Sequence, residues 1–387
     1  MTATVVVAPA VAVRPWHAAL RAALAVWSAS FAVHLLVGAL AWLTYRGDGP
    51  APGLWSVALG WNGWDAGHYV RIAESGYHLG PGFPAFFPLY PLLIHVLDPM
   101  LPGGGVVSAL VVANLAAYGA LTVLYRLADH EFGPSVAQRA AWYLAAFPMG
   151  FFLFIGYNES LFLLLAVGAL YAARRGHWWL AGTLGGFSSA TRLFGLLLIV
   201  PLAVEYLRQY GRVRRDAAAL ALVPLGVVGY SIYCLVELGS PIQFSIAQDQ
   251  WGRRYTWPGE AWLISVGQIA GHSPLDKATL GAVLDAGTIL LAVGLLILCV
   301  RGPYRFRPDQ RYLVVQAGIT LVMLMSTEVG GRSMQSAARY AMEAVAIFLV
   351  LARMGANPAV DRTVLMIGAA LHAVFLVVFM AGTFLVA

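Results

Sequence analysis

Residues 18–45 read AALRAALAVWSASFAVHLLVGALAWLTY, an apolar run that is too long for the hydrophobic segment of a signal peptide. The run has no clean small-residue cleavage site, so we expect it to be retained as a membrane helix. Further apolar runs recur to the end of the chain, at residues 106–126, 139–155, 158–173, 178–191, 193–207, 217–237, 279–300, 312–329, 335–353 and 363–386. The sequence therefore predicts an all-α polytopic membrane protein with about eleven transmembrane helices.

The composition agrees with a membrane protein. Of the 387 residues, 60% are hydrophobic and 11% are charged, and the mean hydropathy is +0.74. A soluble globular protein has about 45–50% apolar and about 25% charged residues. A soluble fold of this size could not bury so much apolar surface, which excludes soluble enzymes, secreted disulfide scaffolds and disordered chains. The two cysteines, Cys234 and Cys299, lie in apolar runs without metal-ligand spacing, so we interpret them as small buried hydrophobic residues.

Arg192 lies at the centre of the long segment 178–207. An arginine in the middle of a membrane costs several kcal/mol, so we expect two short helices, 178–191 and 193–207, with Arg192 at the turn between them. This split also keeps the arginine cluster at 208–215 on the cytoplasmic side, as the positive-inside rule favours. The net charge of +6 is then explained by orientation, and no nucleic-acid partner is predicted.

The same charge pattern predicts the topology of the chain. It places the N-terminus in the cytoplasm, because most of the 24 basic residues then lie on the inner side. Two long outer loops result, at about 46–105 and 238–278, and loops of this length are usually functional. Residues 1–17 are predicted to be a flexible tail, and 18–387 a single transmembrane domain. Any chemistry is expected on the outer, extracytoplasmic face.

The most informative polar segment is WNGWDAGHYVRIAESGY, residues 61–77. Its spacing predicts an amphipathic interfacial helix with Asp65, Tyr69 and Ile72 on one face. Asp65 is either the N-cap of that helix or a general base at the membrane surface. Trp64 and His68 would then contact the substrate beside it. The proline- and aromatic-rich stretch at 82–94 that follows is either an interfacial anchor or a lining for a lipid chain.

Polar residues between the later helices form further candidate sites. Asn158 and Glu159 lie where a helix begins. Asn158 is then the helix cap and Glu159 is favoured by the helix dipole, or both residues bind the substrate. Arg192 is either paired with an outer acid or bound to an anion such as a lipid phosphate.

The last two segments combine amides, aromatic rings and arginines. One interpretation is a binding site, in which Gln248 contacts sugar hydroxyls, Trp251 a sugar ring face and Arg253 a phosphate. The alternative is an aromatic belt at the membrane interface with solvated charges. Arg332, Arg339 and Tyr340 are predicted where a helix begins, with the two arginines on one face, as a basic groove for a phosphate. Glu343 is the alternative local partner of Arg339. No metal cluster or phosphate-cradling glycine loop is found, so no cofactor is predicted, and the metal requirement stays open.

Six segments in order resemble the PIG-V family of membrane mannosyltransferases. They are WDAGHYVRIAESGY, FFPLYPLL, YNESLF, SSATRLFG, QFSIAQDQWG and SAARY, which extend from residue 64 to residue 340. This family adds the second mannose in GPI-anchor assembly and has the C-type glycosyltransferase (GT-C) fold. The resemblance implies an inverting transfer of mannose from a polyprenyl-phosphate donor to a lipid-linked or glycan hydroxyl. Asp65 would be the general base, and the outer arginines would hold the donor phosphate.

The use of arginine with almost no lysine suggests a high-GC bacterium, and hence a bacterial plasma membrane. Two other functions stay open from the residues alone. A lipid or sugar transporter, or flippase, would also have many helices and an intramembrane arginine, although no second, related half of the chain is visible. A non-catalytic subunit of a glycosylation complex is the third possibility.

Overall fold

The computed structural model describes residues 15–45 and 59–382. This part of the chain is mostly helical. Its α-helices are α1 Trp16–Tyr45, α2 Asp65–Ser75, α3 Leu89–Leu97, α4 Gly104–Phe132, α5 Pro134–Ala145, α6 Glu159–Arg174, α7 Trp178–Thr191, α8 Ile199–Tyr210, α9 Leu225–Leu238, α10 Gln243–Ile246, α11 Pro258–Gly271, α12 Lys277–Val300, α13 Arg311–Leu324, α14 Ala337–Tyr340, α15 Val345–Met354 and α16 Pro358–Met380.

Short 3₁₀ helices and one small sheet connect these elements. The 3₁₀ helices are Phe83–Ala85, Asp98–Met100, Gly150–Leu153, Leu193–Leu198, Arg215–Leu222, Ala247–Trp251, Pro308–Gln310 and Ala341–Glu343. The strands β1 Arg253–Tyr255, β2 Thr327–Val329 and β3 Arg332–Ser333 pair antiparallel in that order. The sheet joins the second predicted outer loop to the segment before α14, and so brings distant parts of the sequence to one place.

The core is built around α4, which packs against α1, α5 and α6. Helix α6 packs in turn against α7, and α15 fills the space between α5, α12 and α13. Small residues allow this close approach. At Gly195, an added Cβ would lie 2.3 Å from the backbone of Ser188, so the segment after α7 can return along that helix only with glycine there.

Five helical segments among the described residues are long and apolar enough to span a membrane: Trp16–Ala41, Gly104–Phe132, Leu193–Tyr210, Lys277–Val300 and Pro358–Met380. A sixth results if Arg215–Leu222 and Leu225–Leu238, which meet at 44°, form one bent span. These helices are those of an integral membrane protein. The predicted number of about eleven spans is not confirmed, because several of the other apolar runs form helices that are short for a full crossing.

Several predicted spans are broken. The run 312–329 is helical only to Leu324 and ends in β2, and two further breaks have a local cause. The run 139–155 is helical only to Ala145, since Pro148 cannot donate a backbone hydrogen bond and a 3₁₀ turn follows. The run 335–353 contains α14, a 3₁₀ turn and α15. There the side chain of Gln316 donates to the carbonyl of Glu343 (2.7 Å) and accepts from the amide of Val345 (3.2 Å), which replaces the helical bonds at the break.

The predicted split of 178–207 is confirmed. Helix α7 ends at Thr191, and Arg192 has an extended backbone with φ −157° before the chain returns through a 3₁₀ helix into α8. The predicted interfacial helix after the first run is also present, as α2. Its residues Tyr69 and Ile72 are buried, whereas Arg71 and Glu74 are exposed, as the helical spacing predicts.

The two ends of α6 carry two separate groups of charges. At its C-terminal end, Arg174 pairs with Glu131 (2.6 Å), Glu205 (3.2 Å) and Asp309 (2.5 Å), which ties α4, α8 and the start of α13 together. At its N-terminal end, about 20 Å away by helix geometry, Glu159 begins the helix behind a cavity that contains most of the predicted site residues.

Candidate active site

A cavity of about 320 Å³ lies where α2, the turn after α7, β1 and α14 meet. Its volume suits a monosaccharide or a similar small polar group. Eleven of the thirteen site residues that the sequence predicts line it: Trp64, Asp65, His68, Tyr69, Asn158, Arg192, Gln248, Trp251, Arg253, Arg339 and Tyr340. Residues far apart in the chain therefore converge on one site. Glu159 and Arg332 are the two that do not line it.

Asp65 is the first residue of α2, and its side chain is 31% exposed in the cavity. The chain enters the helix through Trp64, whose φ of 56° is unusual for a residue with a side chain. Tyr157 fixes this entry, because its hydroxyl accepts from the Asp65 amide (3.2 Å) and donates to the Gly63 carbonyl (3.3 Å). The alternative that Asp65 is an N-cap is wrong. The N-cap is Trp64, and the Asp65 carboxylate binds another part of the protein.

Five charged side chains alternate in sign behind and along the cavity. The Arg339 guanidinium donates from Nη1 to Oδ2 of Asp65 (3.1 Å), and its Nε lies 3.2 Å from Oε1 of Glu159. The same Oε1 receives Nη2 of Arg192 (2.5 Å), and Nη1 of Arg192 donates to Glu343 (2.6 Å). These pairs compensate the buried charges of Glu159, Arg339 and Glu343, whereas Arg192 is 12% exposed and Asp65 lies at the open end.

Asn158 occupies the N-cap position of α6, but its side chain does not cap the helix. Its amide oxygen instead accepts from Nε of Arg192 (2.8 Å) and also from Nη2, and its amide nitrogen donates to the Thr191 carbonyl (3.2 Å). The predicted capping role is therefore wrong. Asn158 fixes the turn that carries Arg192.

The strand β1 separates two neighbouring arginines onto opposite faces, as a strand must. Arg253 lines the cavity, whereas Arg254 is outside it and pairs with Glu328 (2.6 Å) on β2. Among the described residues, Arg253 is the lining arginine that takes part in no ion pair, and its buried Nε has no hydrogen-bond partner.

Aromatic rings close one side of the cavity. Trp251 donates from its indole to the Gly82 carbonyl (2.9 Å) and packs against the rings of His68 (5.2 Å) and Phe86 (5.6 Å). Burial lowers the pKa of His68 from its ordinary value of 6.5, an effect that Asp65 opposes and Arg71 reinforces. His68 is therefore neutral at pH 7 and can donate or accept a hydrogen bond.

The predicted shared face of Arg332 and Arg339 is wrong. Arg332 belongs to β3, and the chain then turns through Met334 (φ 56°) and Ser336 (φ 62°) before α14 begins. The spacing of seven places two residues on one face only within a continuous helix. Arg332 consequently lies outside the cavity lining.

The alternative that Glu343 is the local partner of Arg339 is wrong, because Glu343 pairs with Arg192. Sequence reasoning also missed Phe194 and Gln335, which line the cavity, and Tyr157, which holds the entry to α2. A short-range pattern could not identify them, because their partners come from other helices. Within the described residues, no group of three histidine, cysteine or acidic side chains is placed to hold a metal ion.

The mannosyltransferase (PIG-V) family model matches residues 54–214, which confirms the resemblance predicted from the sequence. The chain is 30% identical to the GPI alpha-1,6-mannosyltransferase 2 of Rattus norvegicus over 213 residues, 52% of this chain and 42% of the relative. It is 34% identical to the protein of the same name from Mus musculus over 212 residues, 51% of this chain and 41% of the relative. The matched region is thus less than half the length of these relatives.

Among solved structures, the chain is similar to ArnT from Cupriavidus metallidurans, which was determined with bound undecaprenyl phosphate. The TM-score is 0.50 and the identity 16%, and the match covers 85% of this chain and 75% of that one. At this identity the likeness shows the fold alone. The predicted C-type glycosyltransferase fold is confirmed at that level.

Proposed function

We propose that this chain, which is similar to the PIG-V membrane mannosyltransferases over residues 54–214, transfers a sugar from a polyprenyl-phosphate donor to a hydroxyl of a lipid-linked or glycan acceptor. Mannose is the proposed sugar, with inversion at the anomeric carbon and Asp65 as the general base. The active site would face the extracytoplasmic side of the membrane. The proposal is carried by one cavity that contains a partly exposed carboxylate together with three arginines.

In the proposed reaction, the carboxylate accepts a proton and the arginines stabilise the phosphate. The acceptor hydroxyl oxygen attacks the anomeric carbon and forms the new glycosidic bond, while the bond from that carbon to the donor phosphate oxygen breaks. The hydroxyl proton passes to Asp65. Because Arg339 holds Oδ2, the other carboxylate oxygen, Oδ1, would receive the proton. The phosphate leaves as an anion and needs no proton.

The arginines have different tasks in this proposal. Arg192 and Arg339 are held by carboxylates on other helices, so their positive charges face the cavity from fixed positions. Such preorganised charge stabilises an anion as it develops. Arg253 is not compensated in this way, and we assign it the direct contact with the donor phosphate. Arg332 lies outside the cavity, so its positive charge would act on the phosphate only at long range.

The remaining residues that line the cavity suit a sugar. Gln248 and Asn158 provide amide groups, and the rings of Trp251, Tyr69 and Tyr340 provide apolar faces. A pyranose has both hydroxyls and an apolar ring face, so this mixture fits it better than it fits a purely apolar ligand. The donor's lipid chain would remain in the bilayer between helices, so that only the head group enters the cavity.

The test is transfer of radiolabelled mannose from polyprenyl-phospho-mannose to extracted lipid and glycan acceptors, in membranes that contain the full chain. Asp65→Asn keeps the shape of the side chain but cannot take the proton, and is expected to reduce turnover by about 10²–10⁴-fold. Glu74→Gln, an exposed carboxylate on the same helix outside the cavity, is the matched control and should keep wild-type turnover.

Full turnover by a folded Asp65→Asn protein would refute the role of Asp65. Movement of labelled lipid across proteoliposome membranes without a new covalent product would refute transfer and favour a transporter. Inversion is read separately, from the anomeric configuration of the product.

A further inference from the structure

Tyr69 is a buried tyrosine of the cavity wall whose hydroxyl is not used by the fold. Its side chain is 5% exposed, and it lines the cavity together with Asp65 and Arg192. Within the described part of the chain, the Tyr69 hydroxyl has no hydrogen-bond partner. The hydroxyl of a buried tyrosine usually finds such a partner, so this one needs an explanation.

Two neighbouring buried tyrosines do bond to the fold. Tyr90 donates to the carbonyl of Ala109 (2.9 Å), and Tyr77 donates to that of Phe86 (2.9 Å). The Tyr69 ring packs edge to face against the ring of Tyr90, with centroids 5.0 Å apart, and against that of Phe86 at 5.2 Å. Packing alone therefore fixes the Tyr69 ring and sets the direction of its hydroxyl.

The Tyr69 hydroxyl is close to both the proposed base and an arginine. Tyr69 follows Asp65 by four positions on α2, so the two side chains lie on one face of the helix, about 5–6 Å apart at Cβ. Burial raises the pKa of the phenol well above its ordinary value, an effect that Arg192 opposes and that Asp65 and Glu159 reinforce. The phenol is therefore protonated at neutral pH and can donate a hydrogen bond.

The proposed reaction places one particular sugar hydroxyl in this region. The anomeric carbon has to lie between the acceptor oxygen, beside Asp65, and the donor phosphate, beside the arginines. The hydroxyl on C2 is the sugar hydroxyl nearest to that carbon. A hydrogen bond to it strengthens as positive charge develops at the anomeric carbon, so it favours the transition state more than the bound donor. A phenol can make this bond without adding a charge beside the base.

We propose that the Tyr69 hydroxyl donates a hydrogen bond to the C2 oxygen of the donor sugar and that this contact accelerates the transfer. The inference rests on the proposed function, since it needs a sugar whose anomeric carbon reacts beside Asp65. Tyr69 is then a catalytic residue that also determines specificity, because mannose and glucose differ only in the configuration at C2.

The test combines one change in the protein with one change in the donor, in membranes that contain the full chain. Tyr69→Phe removes only the hydroxyl, and the 2-deoxy analogue of polyprenyl-phospho-mannose removes only its proposed partner. With the mannose donor, Tyr69→Phe should lower kcat by about 10–100-fold. With the 2-deoxy donor it should lower kcat by less than about twofold, because no C2 oxygen is left to bind. Each ratio compares two proteins on one donor, so the intrinsic reactivity of the donor cancels.

Thermal unfolding separates this role from a structural one. Tyr69→Phe breaks no hydrogen bond among the described residues, so its thermal midpoint should equal that of the wild type. Tyr90→Phe is the matched control, because it removes the same atom from the neighbouring ring, which does not line the cavity. It loses the buried bond to Ala109 and should lower the midpoint while it keeps the wild-type kcat.

The specificity of the donor gives a second measurement. The wild type should have a higher kcat/KM for polyprenyl-phospho-mannose than for the corresponding glucose donor. Tyr69→Phe should reduce that preference by about tenfold, because the group that reads the configuration at C2 is lost.

Three results would overturn the inference: an unchanged kcat of Tyr69→Phe with the mannose donor, an equal loss of kcat with both donors, or a lowered thermal midpoint of Tyr69→Phe. The second would place the hydroxyl on the phosphate or the acceptor, and the third would show that it serves the fold. Failure of the proposed function has a different signature. In that case the wild type itself transfers no sugar from any of the three donors.

Discussion

Nη1 of Arg339 lies 3.1 Å from Oδ2 of Asp65, although the two residues are 274 positions apart in the chain. The Arg339 side chain is 4% exposed and that of Asp65 31%, so the pair joins a buried cation to a carboxylate that faces the cavity. The contact brings the helix after the first apolar run against α14. It orients the proposed base, and the same arginine also shares the buried carboxylate of Glu159 with Arg192.

Replacement of Arg339 by glutamine is expected to lower both stability and turnover. Loss of the cation leaves Glu159 and Asp65 without this partner, and breaking a buried pair costs about 3–5 kcal/mol. The Asp65 carboxylate would also lose its fixed orientation, so we expect kcat per folded molecule to decrease by about 100-fold. Thermal unfolding in detergent and transfer assays on the folded fraction measure the two effects separately.

Arg339→Lys is the informative comparison, because it keeps the charge but cannot contact Asp65 and Glu159 through two sides of one planar group. It should recover part of the stability and little of the turnover. Equal kcat for the lysine variant and the wild type would show that charge alone is sufficient and that the geometry described here is not needed.

The neighbouring arginines of β1 provide a matched pair of variants. Arg253→Ala is expected to raise KM for the polyprenyl-phosphate donor by about 10–100-fold, since a hydrogen bond to a charged group contributes about 1.5–3 kcal/mol. Arg254→Ala, one position along on the other face, should change donor KM by less than about twofold, because its partner is Glu328. Steady-state kinetics at varied donor concentration measure both.

A larger effect of Arg254 than of Arg253 on donor KM would contradict the assignment. Loss of a phosphate contact should weaken the salt dependence of donor KM in the Arg253 variant alone. An equal salt dependence in both variants and the wild type would therefore also contradict the assignment.

Some of this site can be predicted from the sequence, for reasons that depend on local chemistry. Asp65 follows a long apolar run, and its neighbours Tyr69 and Ile72 have helical spacing, so both the helix and its buried face are predictable. The helix break at Arg192 is predictable, because an arginine in the middle of an apolar membrane helix costs several kcal/mol. Each of these predictions depends only on the free energy of placing one residue, or one face of a helix, in its environment.

The partners of these residues cannot be predicted in the same way. Glu343, 151 positions from Arg192, pairs with it only because α6, the turn after α7 and the segment before α15 converge. The position of Arg332 was predicted from a helical spacing that a strand and two positive-φ residues interrupt. Strand pairing between residues 253–255 and 327–329 carries no signal in either short segment alone.

Asp285 is expected to act as a positioning residue for Arg339. Its buried carboxylate on α12 accepts from the amide of Ala338 (3.0 Å) and also from the backbone of Ser336, at the strained turn that leads into α14. Asp285→Ala leaves these amides unsatisfied and should lower kcat by about tenfold, with little change in donor KM. Asp285→Asn keeps one acceptor oxygen and should recover part of that loss.

The comparison is made at equal folded fraction, with donor KM and kcat measured separately. Identical kcat values for Asp285→Ala and Asp285→Asn would show that the acceptor oxygen does not position α14. A change confined to donor KM would instead place Asp285 in donor binding.

His68 is expected to make stability depend on pH. Burial lowers its pKa in the folded state, with a smaller opposing effect of Asp65 and a reinforcing one of Arg71, whereas the unfolded chain takes up the proton near pH 6.5. Below that pH the unfolded state therefore binds more protons than the folded state, so the contribution of His68 to stability is fully present above about pH 7 and is lost as pH falls through its folded pKa.

His68→Gln should remove this part of the pH dependence of stability. Thermal midpoints of both proteins from pH 5 to pH 8 give the measurement, and their difference at pH 8 gives the loss of packing alone. A difference that stays constant across the range would show that His68 takes up its proton equally readily in both states, and would remove the basis for a neutral imidazole in the cavity.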